Sequence, residues 1–215
     1  HCFKCFKTKA ECDLCIMKPE TCHYHLGTCR EDEFAHSVCF QPHIVYLANS
    51  SALKIGITRI VNMPTRWLDQ GATQALPILK VGSRRLSGHL ETLIGTQIAD
   101  KTDWRKLLKG EAEPLNLLEQ RDQILEEFAP KIQTIRDEFS QNLEFNENLE
   151  FLENELPREF IYPVEQYPEK IKSLNLDKTP KIRGVLQGIK GQYLLLDIGV
   201  INIRKYTGYE LILRA

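Results

Sequence analysis

The sequence predicts an α+β protein with four parts. A cysteine-rich module spans residues 1–42, and a small antiparallel sheet with helices spans 43–110. A helical connector follows over 111–159, and a small β-rich unit over 160–215. Three observations carry this prediction. All seven cysteines and four of the six histidines (His1, His23, His25, His36) precede Pro42. From His43 onward, short apolar strand-like runs alternate with segments of helical spacing. From Arg183 to Ile203, glycine turns punctuate short β-prone runs.

The chain of 215 residues suits one medium domain and a smaller one. Its 42% apolar and 27% charged residues are those of a globular protein. No apolar run is long enough to span a membrane, and no charged-then-apolar leader is readable, so the expectation is a cytoplasmic protein without a membrane partner. A net charge of −1 excludes a protein that coats nucleic acid by bulk electrostatics. It leaves room for a local basic surface, because Lys54, Arg59, Arg66, Arg84, Arg85, Lys101, Arg105, Lys106 and Lys109 make the middle third basic. The acidic residues concentrate between Glu111 and Glu169.

In the first module the cysteines fall as Cys2-x2-Cys5 and Cys12-x2-Cys15, then Cys22, Cys29 and Cys39, with His25 three residues after Cys22. Paired thiolates on tight turns suit tetrahedral Zn²⁺, and so short a segment cannot build a sufficient apolar core, so metal would supply much of its folding free energy. Disulfides fit poorly with an odd count and no secretion signal. A redox pair lacks its strand-to-helix context, and an iron–sulfur cluster is the remaining alternative. The expected metal ligands are Cys2, Cys5, Cys12, Cys15, Cys22, His25, Cys29 and Cys39. Cys12 and Cys15 with two of the later four would close one site. Cys2 and Cys5 would take partners from the same set or from residues before His1. No open coordination position is suggested, so the ion is expected to be structural.

In the central part, His43–Ala48 and Leu53–Ile57 read as strands joined by an Asn49-Ser50-Ser51 turn, a hairpin. A helix start follows, with Asn62 as cap and Pro64 in the first turn. Ala75–Val81 is the third strand. Ser87–Ala99 has Leu90, Leu93, Ile94 and Ile98 at helical spacing. Residues 114–156 form the longest helical stretch, with Leu118, Ile124, Leu125, Phe128, Ile132, Ile135 and Phe139 on one stripe and Pro130 expected to break or kink it. This stripe reads as a packing helix rather than a partner-binding coiled coil, since the heptads are not sustained. The C-terminal unit should hold two or three antiparallel strands and close with Tyr209–Leu213. Oligonucleotide-binding barrels use such strands, but structural packing is the favoured reading.

The run Ile44-Val45-Tyr46, the turn, then Lys54-Ile55-Gly56-Ile57-Thr58-Arg59, with Arg66 and Glu91 on later helices, resembles the GIY-YIG nuclease superfamily. Ile44-Val45-Tyr46 stands at its first triplet and Lys54-Ile55-Gly56 at its second. The resemblance implies that Tyr46 lies beside the water nucleophile, that Arg66 stabilises charge on the phosphate, and that Glu91 holds one divalent cation, Mg²⁺ or Mn²⁺. Two residues depart from the pattern: Ile44 replaces the first glycine and Lys54 the second tyrosine. A lysine can hold a phosphate as a point charge but cannot order water as a phenol does.

Nearly the whole chain is also similar to an uncharacterised bacterial family, a domain of unknown function found widely in proteobacteria. The similarity rests on Cys12-Asp13-Leu14-Cys15, on the segment from Cys22 to Glu31, and on Val45–Ser51. It extends through Pro64–Ala72, Ser173–Pro180 and Gly188-Ile189-Lys190-Gly191-Gln192-Tyr193. It implies further cysteine pairs ahead of His1. The functional expectation is a zinc-containing protein that cuts phosphodiester bonds of DNA or RNA. Tyr46, Arg66 and Glu91 would be at the chemistry, with Lys54 and Arg59 beside the phosphate. The alternative is a non-catalytic zinc-stabilised module binding DNA or RNA on the same surface, and pure scaffolding is a third.

Overall fold

The computed structural model describes residues 1–98, 103–140 and 148–214. Lys101 of the expected basic patch and Ala99 of the expected helix lie outside these described residues.

The cysteine-rich segment has too few large apolar residues for long elements. It folds as α1 (Phe3–Thr8), single 3-10 turns at Ala10–Cys12, Leu14–Ile16, Pro19–Thr21 and Tyr24–Leu26, then α2 (Asp32–Phe34), which runs into a π-helical turn at Ala35–Cys39. Asp13 accepts from the Cys15 N–H (3.4 Å), and Gly27 closes one turn in the left-handed region at φ 68°.

The central hairpin forms as expected from its pattern: β1 (His43–Asn49) pairs antiparallel with β2 (Leu53–Arg59), Tyr46 standing opposite Gly56. Next comes α3 (Thr65–Asp69), whose first turn is preceded by Pro64. Asn62, expected as its cap, instead ends a 3-10 turn at Ile60–Asn62. Strand β3 (Gln74–Val81) returns along the other side of β1, and Ser83, not Ser87, opens α4 (Arg84–Ile94): its Oγ accepts from the Leu86 N–H at 3.1 Å. Helix α5 (Trp104–Lys109) is capped by Asp103 and ends at Gly110.

The long helix α6 (Leu117–Ser140) continues through Pro130, so no break occurs there. Its predicted extension to residue 156 is corrected. Residues 141–147 lie outside the described set, and Leu149–Phe151 is a strand, β4, that pairs with β3. Its alternation puts Leu149 into the core, and β3 supplies a free row of backbone groups. The two-residue β5 (Arg158–Glu159) also pairs with β3. Pro77, which has no N–H to give, falls between the stretches of β3 that meet β4 and β5. The sheet order is β2-β1-β3-β4, with β5 beside β4 on β3.

β1 is buried along its whole length because both faces are covered. On one face Val45, Leu47, Leu76 and Ile78 meet Leu86, Leu90 and Ile94 of α4 and Ile124, Phe128 and Ile132 of α6. On the other, Ile44, Tyr46 and Ala48 pack with Trp67 of α3 and with Ala72 and Ala75. The C-terminal unit is a three-stranded sheet, β6 (Leu186–Lys190), β7 (Tyr193–Leu196) and β8 (Gly199–Asn202). It shares a core with α5 through Leu107, Leu108, Leu195 and Val200. Tyr209–Leu213, expected as a closing strand, is not one. It pairs with no strand among the described residues, and Ile212 and Leu213 stay exposed.

Two close approaches fix the parts to each other. Gly88 of α4 lies against Pro19: a Cβ there would stand 2.6 Å from the Pro19 Cβ and 2.7 Å from the Glu20 backbone N. Beside it Arg84 donates to the Ile16 carbonyl at 2.6 Å. The second is Gly191, at φ 57° in the β6–β7 turn, whose Cβ would meet the Asp69 O and Gly71 N at 2.9 Å. Only glycine serves there, by backbone conformation and by space.

Gly56 gives a direct test of how Tyr46 is held. A Cβ on Gly56 would stand 2.7 Å from both Cζ and Oη of Tyr46, so Gly56→Ala must push the ring aside. Overpacking of this kind costs ~1–3 kcal/mol. Urea unfolding of the variant should show that loss; an unchanged midpoint would mean that the ring is free to move.

Candidate functional site

Two sites stand on either side of this frame. The first is the cysteine module, whose short turns converge on a cavity of about 20 Å³ lined by Cys15, Cys22, Cys29 and Cys39 together with Asp13 and His23, room for a single ion or water. Burial pushes the Cys15 thiol up to about 12, with Asp13 and the thiols of Cys22, Cys39 and Cys29 pushing the same way. Burial likewise takes Cys39 up to about 11, its neighbours Cys22 and Cys29 adding to the shift against Arg84 and Arg59. Thiols crowded in this way are stabilised by a cation that takes the place of their protons.

Asp13, Cys15 and His23 offer ligand atoms within 4.8 Å of one another, and so do His1, Glu11 and Cys12, either of which could hold a metal ion. Asp13 is already engaged: the Arg30 Nε stands 2.7 Å and the His23 Nε2 3.5 Å from its carboxylate, while the His23 Nδ1 lies 2.7 Å from the Thr28 Oγ1. These polar groups brace the thiols from one side.

The expected ligands divide in a way their spacing does not show. Asp13 is extended (φ −73°, ψ 154°) between two 3-10 turns, which parts Cys12 from Cys15. Cys12 lies with His1 and Glu11, and Cys15 in the thiol cavity. The Cys5 N–H contacts the Cys2 Sγ at 3.5 Å in α1. His25 is exposed outside the cavity lining, its pKa lowered by desolvation and by Arg85.

The second site is built around Tyr46. Its ring packs edge-on against Trp67, with centroids 5.7 Å apart, and crosses β2 where Gly56 has no side chain. The hydroxyl donates to the Gln70 Oε1 at 3.0 Å. Burial raises this phenol and Glu91 pushes the same way, while Arg66 and the hydrogen bonds to Arg66 and Gln70 oppose them. Arg66 of α3 thus meets Tyr46 of β1 at its hydroxyl, and the charge of Glu91 on α4 reaches it more weakly; of the three, Arg66 alone lines the cleft described next. Glu91 and Arg66 are both half-buried.

Arg66 also faces a cleft of about 310 Å³, where Lys54, Gln70, Lys190 and Arg204 join it with Asp69 as the one carboxylate of the lining. Arg66, Asp69, Tyr193 and Arg204 continue into an open groove of about 880 Å³ that runs past Thr65 and Tyr206. Four cations against one carboxylate give a positive field, and low-dielectric walls focus it. Arg59 stands apart, at the far end of β2 from Lys54. There it is opposite His43 in the ladder and close enough to act on the Cys39 thiol.

Sequence reasoning missed one wall of this cleft. Lys190 and Tyr193 belong to the C-terminal strands, Arg204 to the 3-10 turn Ile203–Tyr206 that follows them, Trp104 to α5, and Asp69 and Gln70 to the end of α3. The run Gly188–Tyr193 was visible as a family resemblance, but its alternation reports only a strand. Nothing local says that the Gly191 turn seats on α3.

A family model described as "Protein of unknown function (DUF2797)" matches residues 1–211. No curated protein and no solved structure matches the chain. Among the described residues, no helix is long and apolar enough to cross a membrane.

Proposed function

We propose that this chain, which belongs to the DUF2797 family, processes nucleic acid by hydrolysing phosphodiester bonds in the cleft beside Tyr46, in the manner of a GIY-YIG nuclease. The observation that carries the reading is Arg66, which bonds the buried Tyr46 hydroxyl, itself under the weaker influence of Glu91, and lines a cleft with four cations and one carboxylate. The ion of the N-terminal module is read as structural Zn²⁺, seated in the cavity that Cys15, Cys22, Cys29 and Cys39 line, where Asp13 and His23 are within ligand reach of Cys15. A set of four thiols on short turns favours that metal.

In the hydrolysis, water adds to phosphorus while the bond from phosphorus to the departing sugar oxygen breaks. The water's proton passes to solvent, and the alkoxide takes one back. Arg66, a fixed cation with several donors, stabilises the charge that grows on the phosphoryl oxygens. Tyr46 stays protonated. Its one proton is given to Gln70, so its lone pairs are left to accept from Arg66 and fix the direction of that guanidinium. Lys54 holds the phosphate as a point charge. Glu91 would hold the divalent cation, Mg²⁺ or Mn²⁺, which offsets charge on the leaving oxygen when bound.

Incubation of end-labelled DNA and RNA with Mg²⁺ or Mn²⁺ tests this reading. The wild-type protein should yield shortened products and Glu91→Ala should lose at least about a hundredfold in rate, the scale of one removed electrostatic element. Cleavage that survives the substitution sinks the mechanism. A second reading, binding without cleavage, is favoured by Lys54 where the second triplet has a tyrosine and by the complete burial of Tyr46. It predicts retained oligomers in the same assay.

A further inference from the structure

The cleft holds two features that phosphodiester hydrolysis does not require. The first is Lys190 on β6. It is 1% exposed yet lines the cleft, and its side chain makes no hydrogen bond or ion pair with the described residues. Its Nζ sits over the rings of Tyr162 and Tyr167, at 5.5 and 5.2 Å from their centroids. These π faces relieve part of the cost of a buried cation but leave its donors unfilled. An unfilled ammonium in a cleft wall, near Arg66 and Arg204, is a seat for an anion.

The second feature is a pair of aromatic rings on the same wall. Trp104 and Tyr193 lie within 6° of parallel with centroids 6.4 Å apart, both half-buried and both lining the cleft. The Arg105 guanidinium stands 4.6 Å from the Trp104 ring centroid. Both rings pack against the core shared by α5 and the C-terminal sheet, and both also form part of the cleft surface. Cations along a groove, interleaved with aromatic faces, make up the device by which proteins hold nucleic acid strands whose bases are unpaired. A paired duplex keeps its bases stacked on one another and offers such rings nothing to stack on.

We propose that the cleft between α3 and the C-terminal sheet binds single-stranded nucleic acid, a base stacking on Tyr193 and Trp104 and a phosphate seated between Lys190, Arg66 and Arg204. This rests on the nucleic-acid reading above and adds to it the form of the strand. The three-stranded C-terminal sheet is then the reading half of the site, and the Gly191 turn holds it in place against α3. The wide groove past Thr65 and Tyr206 carries the strand onward.

Fluorescence anisotropy tests the proposal on the whole chain with no divalent cation added. The probes are labelled oligothymidine and oligouridine of about twelve nucleotides, within the span such grooves cover, and a hairpin duplex of similar length. Both single strands should bind about tenfold or more tightly than the duplex. Tyr193→Leu keeps apolar bulk and should weaken single strands about tenfold, the scale of one lost stack. Arg204→Ala, at an exposed position that places little demand on folding, should lower the slope of log affinity against log salt by about one. Tighter binding of oligouridine than of oligothymidine identifies RNA as the source of the strand, and the reverse identifies DNA. Equal or tighter binding of the duplex overturns the proposal. So does a Tyr193→Leu protein of unchanged affinity. Should Glu91→Ala cleave like wild type while single strands still bind through Tyr193, the hydrolytic mechanism fails and this inference stands. Should no polymer bind, both fail.

Discussion

On the reading that the N-terminal module holds a structural metal ion, stripping that ion should unfold residues 1–42 and leave the central sheet standing. The reason is the lack of any other core. In that segment only Ala10, Pro19 and Ala35 are buried, while Phe3, Phe6, Leu14, Met17 and Leu26 are largely exposed. Three small side chains cannot offset the conformational entropy of some forty residues, at about 1–2 kcal/mol each. Structural zinc sites contribute on the order of 10 kcal/mol at neutral pH. Cys39→Ser should therefore lose the bound metal and the fold of the module together. Hydrogen exchange read by mass spectrometry, with metal content measured on the same sample, checks this. Amides of 1–42 should exchange fully while β1 and β3 stay protected. Protection of the module after complete loss of metal would show that the thiols are not its foundation.

On the hydrolytic reading proposed above, Arg66→Ala should abolish cleavage almost completely while leaving the fold intact. The side chain is half-buried on a short helix, and its guanidinium serves both the Tyr46 hydroxyl and the cleft. Removing one preorganised donor to a developing charge lowers turnover by about a hundredfold to a thousandfold. Here the same loss also frees Tyr46 from one of its two partners. Arg66→Lys should recover little, because an ammonium cannot offer the forked donors of a guanidinium. Single-turnover cleavage rates, read with a thermal melt of each variant, separate a chemical effect from unfolding. A rate within threefold of wild type would remove Arg66 from the mechanism.

The hairpin was legible because short apolar runs on either side of a polar turn are local signals. So were β3, a nearly continuous apolar run, and the thiols, whose identity alone limits what they can do. The parts that escaped are those set by distant partners. β4 and β5 are three and two residues long and exist because β3 had an open edge. Cys12 and Cys15 look like one knuckle in sequence, and the extended Asp13 parts them. Lys190 reads as an ordinary strand lysine, and only the arrival of Tyr162, Tyr167 and the α3 terminus buries it. Burial of a charge is a tertiary fact, and no window of sequence contains it.

The contact of Gly88 with Pro19 has a consequence for how the chain can be divided. Pro42 separates two amino-acid compositions, but the seam between the two parts runs elsewhere, along α4. A fragment beginning after Pro42 would bare Gly88 and Arg84 to water, together with a flank of the helix that bears Glu91. Opening of the module and loosening of that helix then become one cooperative event. Any agent that competes for the thiols, whether a chelator or an oxidant, would reach Glu91 without touching it.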